Sequence, residues 1–190
     1  MSFPTTASEE PTPGLPAREV AKLSFEQLFV DHAPQVWRAL LRLGVHPSDA
    51  EDVCQEVFLI IHRRLPTFEG RSSIQSWIYG ICVRVTADYR KRAHRRYESP
   101  SDDIPEQTAP ENQHAELEDH ESRALLGATI DKLDADKRAV FVLFELEELP
   151  MTEVAVAVGC PLQTAYARLY AARHIVEAAL RRATSGRKVT

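Results

Sequence analysis

Residues 151–173 read MTEVAVAVGCPLQTAYARLYAAR. Two stretches of helix formers flank Gly159, Cys160 and Pro161. Ala155 is small enough for a second helix to cross closely over the first. Gly159 stands where the chain needs a left-handed turn. Pro161 suits a first helical turn, where its missing N–H has no partner to lose. Leu162, Ala165, Leu169, Ala172, Val176 and Leu180 recur at helical spacing and predict one buried stripe. Gln163, Thr164, Tyr166, Ala167, Tyr170 and Arg173 then face outward or sideways. This is the pattern of a helix-turn-helix, whose second helix enters the major groove of a duplex. Gln pairs with adenine, Arg with guanine or phosphate, and Thr or Ala methyls with thymine. Taken alone, a plain helical hairpin with a glycine turn reads the same way.

Upstream of it, Leu126, Ile130 and Leu133 belong to one helix. Asp134 is placed to cap another that buries Val140, Leu143, Phe144 and Phe141. These elements with the helix-turn-helix make a unit over 123–183, with 184–190 as a tail. Residues 97–122 carry nine acidic groups, no Lys or Arg, and Pro100, Pro105 and Pro110. That composition predicts a flexible acidic linker.

A second helical unit is expected over 24–96. Ser24 with Gln27, and Ser48 with Glu51, have capping-box spacing. Phe25, Leu28, Phe29, Val36, Trp37, Leu40 and Leu41 supply apolar spacing for its first helix. Ala50, Val53, Val57, Ile60 and Ile61 do so for its second, which Pro66 ends. Ser72 or Ser73 caps a third helix with Ile74, Trp77, Ile78, Ile81 and Val85 on its buried stripe. Residues 1–23, with Pro4, Pro11, Pro13 and Pro16, form an expected disordered lead. The fold class is therefore all-α: two small helical domains joined by a linker.

The net charge of −5 hides its distribution. Residues 63–96 hold nine basic groups against Glu69 and Asp88. Such a block, interleaved with Trp77 and Tyr79, suits phosphates and unpaired bases. Trp77 also lies on the apolar stripe, which makes it a core residue first. The cysteines Cys54, Cys82 and Cys160 are too scattered for a disulfide framework or a zinc motif. The histidines form no metal pattern, and there is no Gly-rich phosphate loop or nucleophile elbow. No cofactor, no metal and no catalysis are expected. Neither a signal peptide nor a membrane span is legible, so a cytoplasmic protein is expected.

DAEDVCQEVF at 49–58, TFEGRSSIQSWIYGICVRVTADYRKR at 67–92 and the helix-turn-helix together resemble the extracytoplasmic-function sigma factors of bacterial RNA polymerase. The resemblance covers about 24–96 and 123–183, as regions two and four of that family. It implies a transcription initiation factor that binds core polymerase, recognises two promoter elements and assists melting. It places Asp52, Gln55 and Glu56 against the clamp helices of the polymerase β′ subunit, with the β subunit as a further contact. It places Phe68, Glu69, Gly70, Arg71, Ser72 and Ser73 in the loop that captures a flipped base of the minus ten element. Trp77, Arg84, Arg90, Lys91 and Arg92 lie on the helix that holds the opened strand. Gln163, Thr164, Tyr166, Ala167, Arg168, Tyr170 and Arg173 lie on the helix that reads the minus thirty-five element. Many members of the family are restrained by an anti-sigma factor, and no residue here identifies one.

Two departures stand out. Arg84 replaces an Asn frequent in the family. Tyr166, Ala167 and Ala171 replace basic or hydroxyl residues of the last helix, which implies a distinctive upstream element bound weakly by region four alone. The competing readings are a stand-alone helix-turn-helix regulator, which would dimerise on spaced half-sites, and a protein-binding adaptor. The absence of a dimerisation coiled coil counts against the first. The basic block counts against the second.

Overall fold

The computed structural model describes residues 23–97 and 126–186; the expected lead and linker lie almost wholly outside these residues, while the first three residues of the expected tail, 184–186, continue the last helix. All regular structure among the described residues is helical. The elements are α1 (Phe25–Leu43), α2 (Ala50–Arg64), α3 (Ile74–Tyr97), α4 (Ala135–Phe141), α5 (Met151–Val158) and α6 (Leu162–Gly186). Short 3-10 turns precede and follow α2, and a further helical turn covers 126–130.

Local chemistry sets the helix ends. The Ser24 side chain accepts from the Gln27 backbone N–H at 3.1 Å, and Asp134 accepts from that of Lys137 at 2.9 Å. Ser73 Oγ caps α3 by accepting from the Ser76 N–H at 3.1 Å. The expected cap at Ser48 does not form. His46 Nδ1 accepts from the Ser48 N–H instead, and Pro47–Asp49 winds into a 3-10 turn before α2 starts. The proline fixes that turn one residue too early for Ser48 to reach α2.

α1 and α5 end in the same way. Gly44 takes φ 97° and Gly159 φ 67°, and the next residue's N–H returns to the carbonyl five residues back, Val45 to Leu40 and Cys160 to Ala155, each at 3.0 Å. This is the Schellman closure. The two sites differ in their surroundings. A Cβ on Gly159 would meet nothing, whereas one on Gly44 would strike the guanidinium groups of Arg90 and Arg138. Those groups are engaged with the Leu43 carbonyl and with Asp131. Gly159→Ala should therefore lose only the left-handed strain of about 1 kcal/mol. Gly44→Ala should lose about 2–3 kcal/mol, because it adds displacement of a buried arginine. Urea unfolding of the two variants checks the order.

The apolar stripes pack as their spacing demands. Val36 and Leu40 of α1, Val57 and Ile61 of α2, and Ile78, Ile81 and Val85 of α3 are buried. Ala165, Leu169, Ala172 and Val176 of α6 are buried too, but Leu162 is not. It is the first residue of α6 and borders an open hollow that it shares with Thr152, Ala155 and Val156 of α5, so the buried stripe starts one turn later. Phe29 and Trp37 also leave the predicted core, at 47% and 38% exposure.

The largest departure is between the units. Their buried residues form one continuous cluster rather than two. α3 of the first unit lies against α5 of the second. Gly80 permits this approach, since a Cβ there would stand 3.2 Å from the Ala157 carbonyl oxygen. A π-helical turn, Val142–Leu146, follows α4. It carries Glu147 against the first unit, and Glu148 beyond it takes φ 56°.

Candidate nucleic-acid interface

Three surfaces carry the residues singled out from sequence. The first is a groove between α1 and α2. Phe25 and Phe29 each pack edge to face on Phe58, with Phe29 and Phe58 ring centres 4.7 Å apart. With Trp37, Cys54 and Leu59 they floor an open groove of about 530 Å³. Glu51, Asp52 and Gln55 stand on its rim. Leu59 is 51% exposed. Sequence reasoning singled out Asp52 and Gln55, which line this groove, and not its apolar floor, because Phe29 and Trp37 share helical spacing with true core positions. Glu56 does not join the rim. Its carboxylate accepts from Arg92 Nη2 at 2.8 Å and ties α2 to α3.

The second surface is the loop before α3 and the helix itself. Phe68 is buried and packs on Trp77, with ring centres 5.0 Å apart. Gly70, two residues on, takes φ 70° in the left-handed region. Arg71 pairs with Glu69, both well exposed. Ser72 is half-buried. Along α3, Arg84 is exposed and Lys91 lies 3.5 Å from Asp88. Burial, and then the neighbouring Arg64 charge, lower the Arg84 guanidinium from its ordinary value. It remains a cation all the same. Arg90 turns inward and donates to the Leu43 carbonyl, closing the C-terminus of α1. Its place is thus on the fold side of α3, away from Arg84 and Lys91.

The same loop touches the second unit. Ser73 Oγ donates to the Glu153 carboxylate, and Ser76 Oγ donates to the Glu153 carbonyl at 3.0 Å. One turn on, Tyr79 Oη donates to Glu147 at 2.6 Å, and Arg42 donates to the same carboxylate at 2.7 Å. Burial first, and the adjacent Glu147 second, push the Tyr79 phenol well above its ordinary value, so it remains a donor. None of these partnerships was legible in the sequence.

The third surface is α6. Gln163, Ala167 and Tyr170 are exposed, while Thr164, Tyr166, Arg168 and Arg173 are half-buried beside them. Tyr166 and Tyr170 stack, with ring centres 6.4 Å apart and planes 24° from parallel. Arg168 pairs with Asp136, and Arg173 pairs with Glu145 and lies over the Phe144 ring at 5.6 Å. Both arginines are thereby held to the edge of the exposed face of α6. His174, one turn beyond Tyr170, is exposed on the same stripe. Continuing the 3.6-residue period by one step would have found it.

Comparison with known proteins agrees with this arrangement of two units. Sigma-70 region 2 matches residues 28–96, and sigma-70 region 4 matches residues 123–174. The RNA polymerase sigma-H factor of Pseudomonas aeruginosa is 30% identical over 171 residues, covering 84% of this chain and 87% of that factor. The ECF RNA polymerase sigma-E factor of Escherichia coli is 30% identical over 168 residues, covering 81% and 85%. Among solved structures, the fold is similar to that of CnrH, determined with the cytosolic domain of CnrY (TM-score 0.62, 24% identity, 87% of this chain and 94% of that one). It is also similar to the sigma factor RpoE of Bartonella quintana, determined with the anti-sigma factor NepR (TM-score 0.65, 20% identity, 83% and 96%).

Proposed function

The chain belongs to the extracytoplasmic-function family of RNA polymerase sigma factors and acts in transcription initiation, and from that premise we propose which of its surfaces meet polymerase and promoter. The groove between α1 and α2 receives the polymerase. Its apolar floor of Phe29, Trp37 and Leu59 offers area to bury, and Asp52 and Gln55 on the rim set register. The observation that carries this assignment is the exposure of three large apolar side chains around one groove, an arrangement that marks a protein contact. The clamp helices of the β′ subunit are the occupant that the family resemblance implies.

Phe68 to Ser73 capture a base of the minus ten element, with Trp77 as the floor beneath them. Arg84, Lys91 and Arg92 track the phosphates of the opened strand, and Arg92 exchanges Glu56 for phosphate as it does so. α6 reads the minus thirty-five element through Gln163, Ala167 and Tyr170, with Thr164, Tyr166, Arg168 and Arg173 at the edges. We assign the chain no reaction of its own; it directs the polymerase from the cytoplasm. Among the described residues no helix is long and apolar enough to cross a membrane.

The test is transcription by bacterial core polymerase on genomic promoter fragments with the purified full chain. Discrete new start sites are expected, and they should fade when Asp52→Ala and Gln55→Ala are combined. Salt-sensitive duplex binding without polymerase capture would overturn the assignment in favour of a stand-alone regulator.

A further inference from the structure

We propose that Arg90 and Arg138, which meet over Gly44 at the end of α1, form a binding site for a phosphate dianion, either the free anion or the terminal phosphate of a small nucleotide. Arg90 is a member of the basic block that turns away from Arg84 and Lys91 and donates to the Leu43 carbonyl. The site shares no residue with the polymerase groove, the loop of Phe68 to Ser73 or the exposed face of α6.

Three observations carry it. First, two cations share one small space. A Cβ on Gly44 would strike both Arg90 Nη2 and Arg138 Nη1, so the two guanidinium groups approach each other across the one kind of residue that leaves them room. Burial, and then the Arg138 charge, lower the Arg90 guanidinium from its ordinary value, and both groups remain cations. Like charges this close repel unless an anion stands with them.

Second, the counter-charge falls short. Arg138 Nη1 lies 3.1 Å from the Asp131 carboxylate. The partner of Arg90, a backbone carbonyl, carries no charge. Two cations therefore share one carboxylate among the described residues. Third, a buried donor is unspent. Arg138 is 6% exposed, yet its Nε has no hydrogen-bond partner among the described residues. Native proteins rarely leave such a donor without an acceptor. The planar guanidinium fork matches the oxygens of a phosphate.

The charge and size of the ligand follow. The Asp131 side chain is 53% exposed and can turn to water, whereas Arg138 is enclosed. A dianion in the place of that carboxylate balances both cations. A phosphodiester carries one charge and leaves the excess standing. It also brings two sugars that cannot follow it down to Arg138. Gly44 and Arg90 are only half-buried, so a small anion can enter beside Asp131. The carbonyls that end α1 would repel it, but those of Leu40, Leu41 and Leu43 already accept from Val45, Gly44 and Arg90.

The experiment is isothermal titration of the full chain with sodium phosphate and with adenosine monophosphate. It is run at about pH 8, where both phosphates are dianions, with ionic strength held constant by sodium chloride. The parent is compared with Asp131→Asn, which removes the competing carboxylate, and with Arg90→Gln, which removes one cation. Asp131→Asn should tighten phosphate binding about tenfold, and Arg90→Gln should weaken it about tenfold, the effect of one charge-assisted hydrogen bond. Circular dichroism without phosphate checks that both variants fold. Should Arg90→Gln fail to fold, the half-exposed Asp131→Asn decides alone, and an unchanged affinity there overturns the site.

Binding of phosphate with weaker binding of the nucleotide supports the free anion, and equal or tighter binding of the nucleotide supports the terminal phosphate. No binding of either ligand by the parent and by Asp131→Asn overturns the proposal. Equal binding by all three proteins places the anion elsewhere and overturns it too. So does the case in which neither ligand binds while the affinity for a duplex DNA of unrelated sequence rises in Asp131→Asn and falls in Arg90→Gln, since the cradle then holds a phosphodiester.

Discussion

Trp37→Ala combined with Leu59→Asp should weaken the affinity for core polymerase by about 100-fold, close to 2.7 kcal/mol, and leave the fold intact. Trp37 and Leu59 stand on the groove floor with more than a third of each side chain in water. A protein partner that fills the groove desolvates both. Buried tryptophans are the usual energetic centres of such contacts, and truncating one loses about 2–4 kcal/mol. The aspartate adds a charge that must be buried without a partner. Neither change opens a cavity in the free chain, so the unfolding free energy should change by no more than a surface substitution changes it, about 0.5 kcal/mol. Glu56→Gln supplies the contrast. Its carboxylate is tied to Arg92 and stands off the groove, so it should change polymerase affinity far less than the floor variants. A titration of labelled core polymerase checks all three. Equal losses from Glu56→Gln and from the floor variants would show that the acidic face of α2, and not the apolar groove, is the contact.

That contrast shows where sequence reasoning stopped. Helical period assigns Val36, Val57, Ile78, Ile81, Leu169 and Val176 to the core, and each is buried. Period alone cannot separate Val36 from its neighbour Trp37, because a wide apolar stripe serves a core and a docking face equally well. Only the position of the neighbouring helix decides which edge of the stripe stays wet. Ser73 shows a different limit. The sequence places it as a cap for α3, and it is one, yet the same hydroxyl also reaches Glu153, 80 residues away. No local rule reports a partner at that separation. Glu147 is harder still, since it reaches Arg42 and Tyr79 only because a π-helical turn re-aims the chain after α4. Such turns have no reliable sequence signature and are concentrated at functional sites.

The electrostatics follow the same division. The basic block of 63–96 was legible as a charge run, but its members do different things. Arg90 closes the C-terminus of α1, where a cation meets the unpaired carbonyls of the helix end. Arg92 spans to Glu56. Arg84 and Lys91 remain toward solvent. On α6 the acids Asp136 and Glu145 hold Arg168 and Arg173, so two of the cations expected on the reading face are already partly neutralised. If α6 reads the upstream element as proposed, weak binding by the second unit alone is the expected result, with a larger share of the contact on the stacked Tyr166 and Tyr170.

Trp77→Ala should slow promoter opening by about 100-fold while leaving polymerase affinity unchanged. Trp77 supports Phe68 at 5.0 Å, two residues before the left-handed Gly70. Removing the indole loses the aromatic pair, about 0.5–1.5 kcal/mol, and a stacking face for an unpaired base, about 1–3 kcal/mol. Together these amount to about 1.5–4.5 kcal/mol on the step that holds the strand. Trp77→Phe keeps a ring in place and should recover most of the rate. The competing account makes Trp77 a packing residue only, and it is distinguishable. A template mismatched across the minus ten segment removes the unstacking term, a few kcal/mol per step. On it the alanine variant should regain a large part of its lost rate, because strand capture then no longer competes with base pairing. A purely structural defect would persist on the mismatched template and would appear as an equal loss of polymerase binding, since α3 shares its core with α1 and α2. Measuring both templates against the unfolding midpoint of the variant therefore assigns Trp77 either to the strand or to the core.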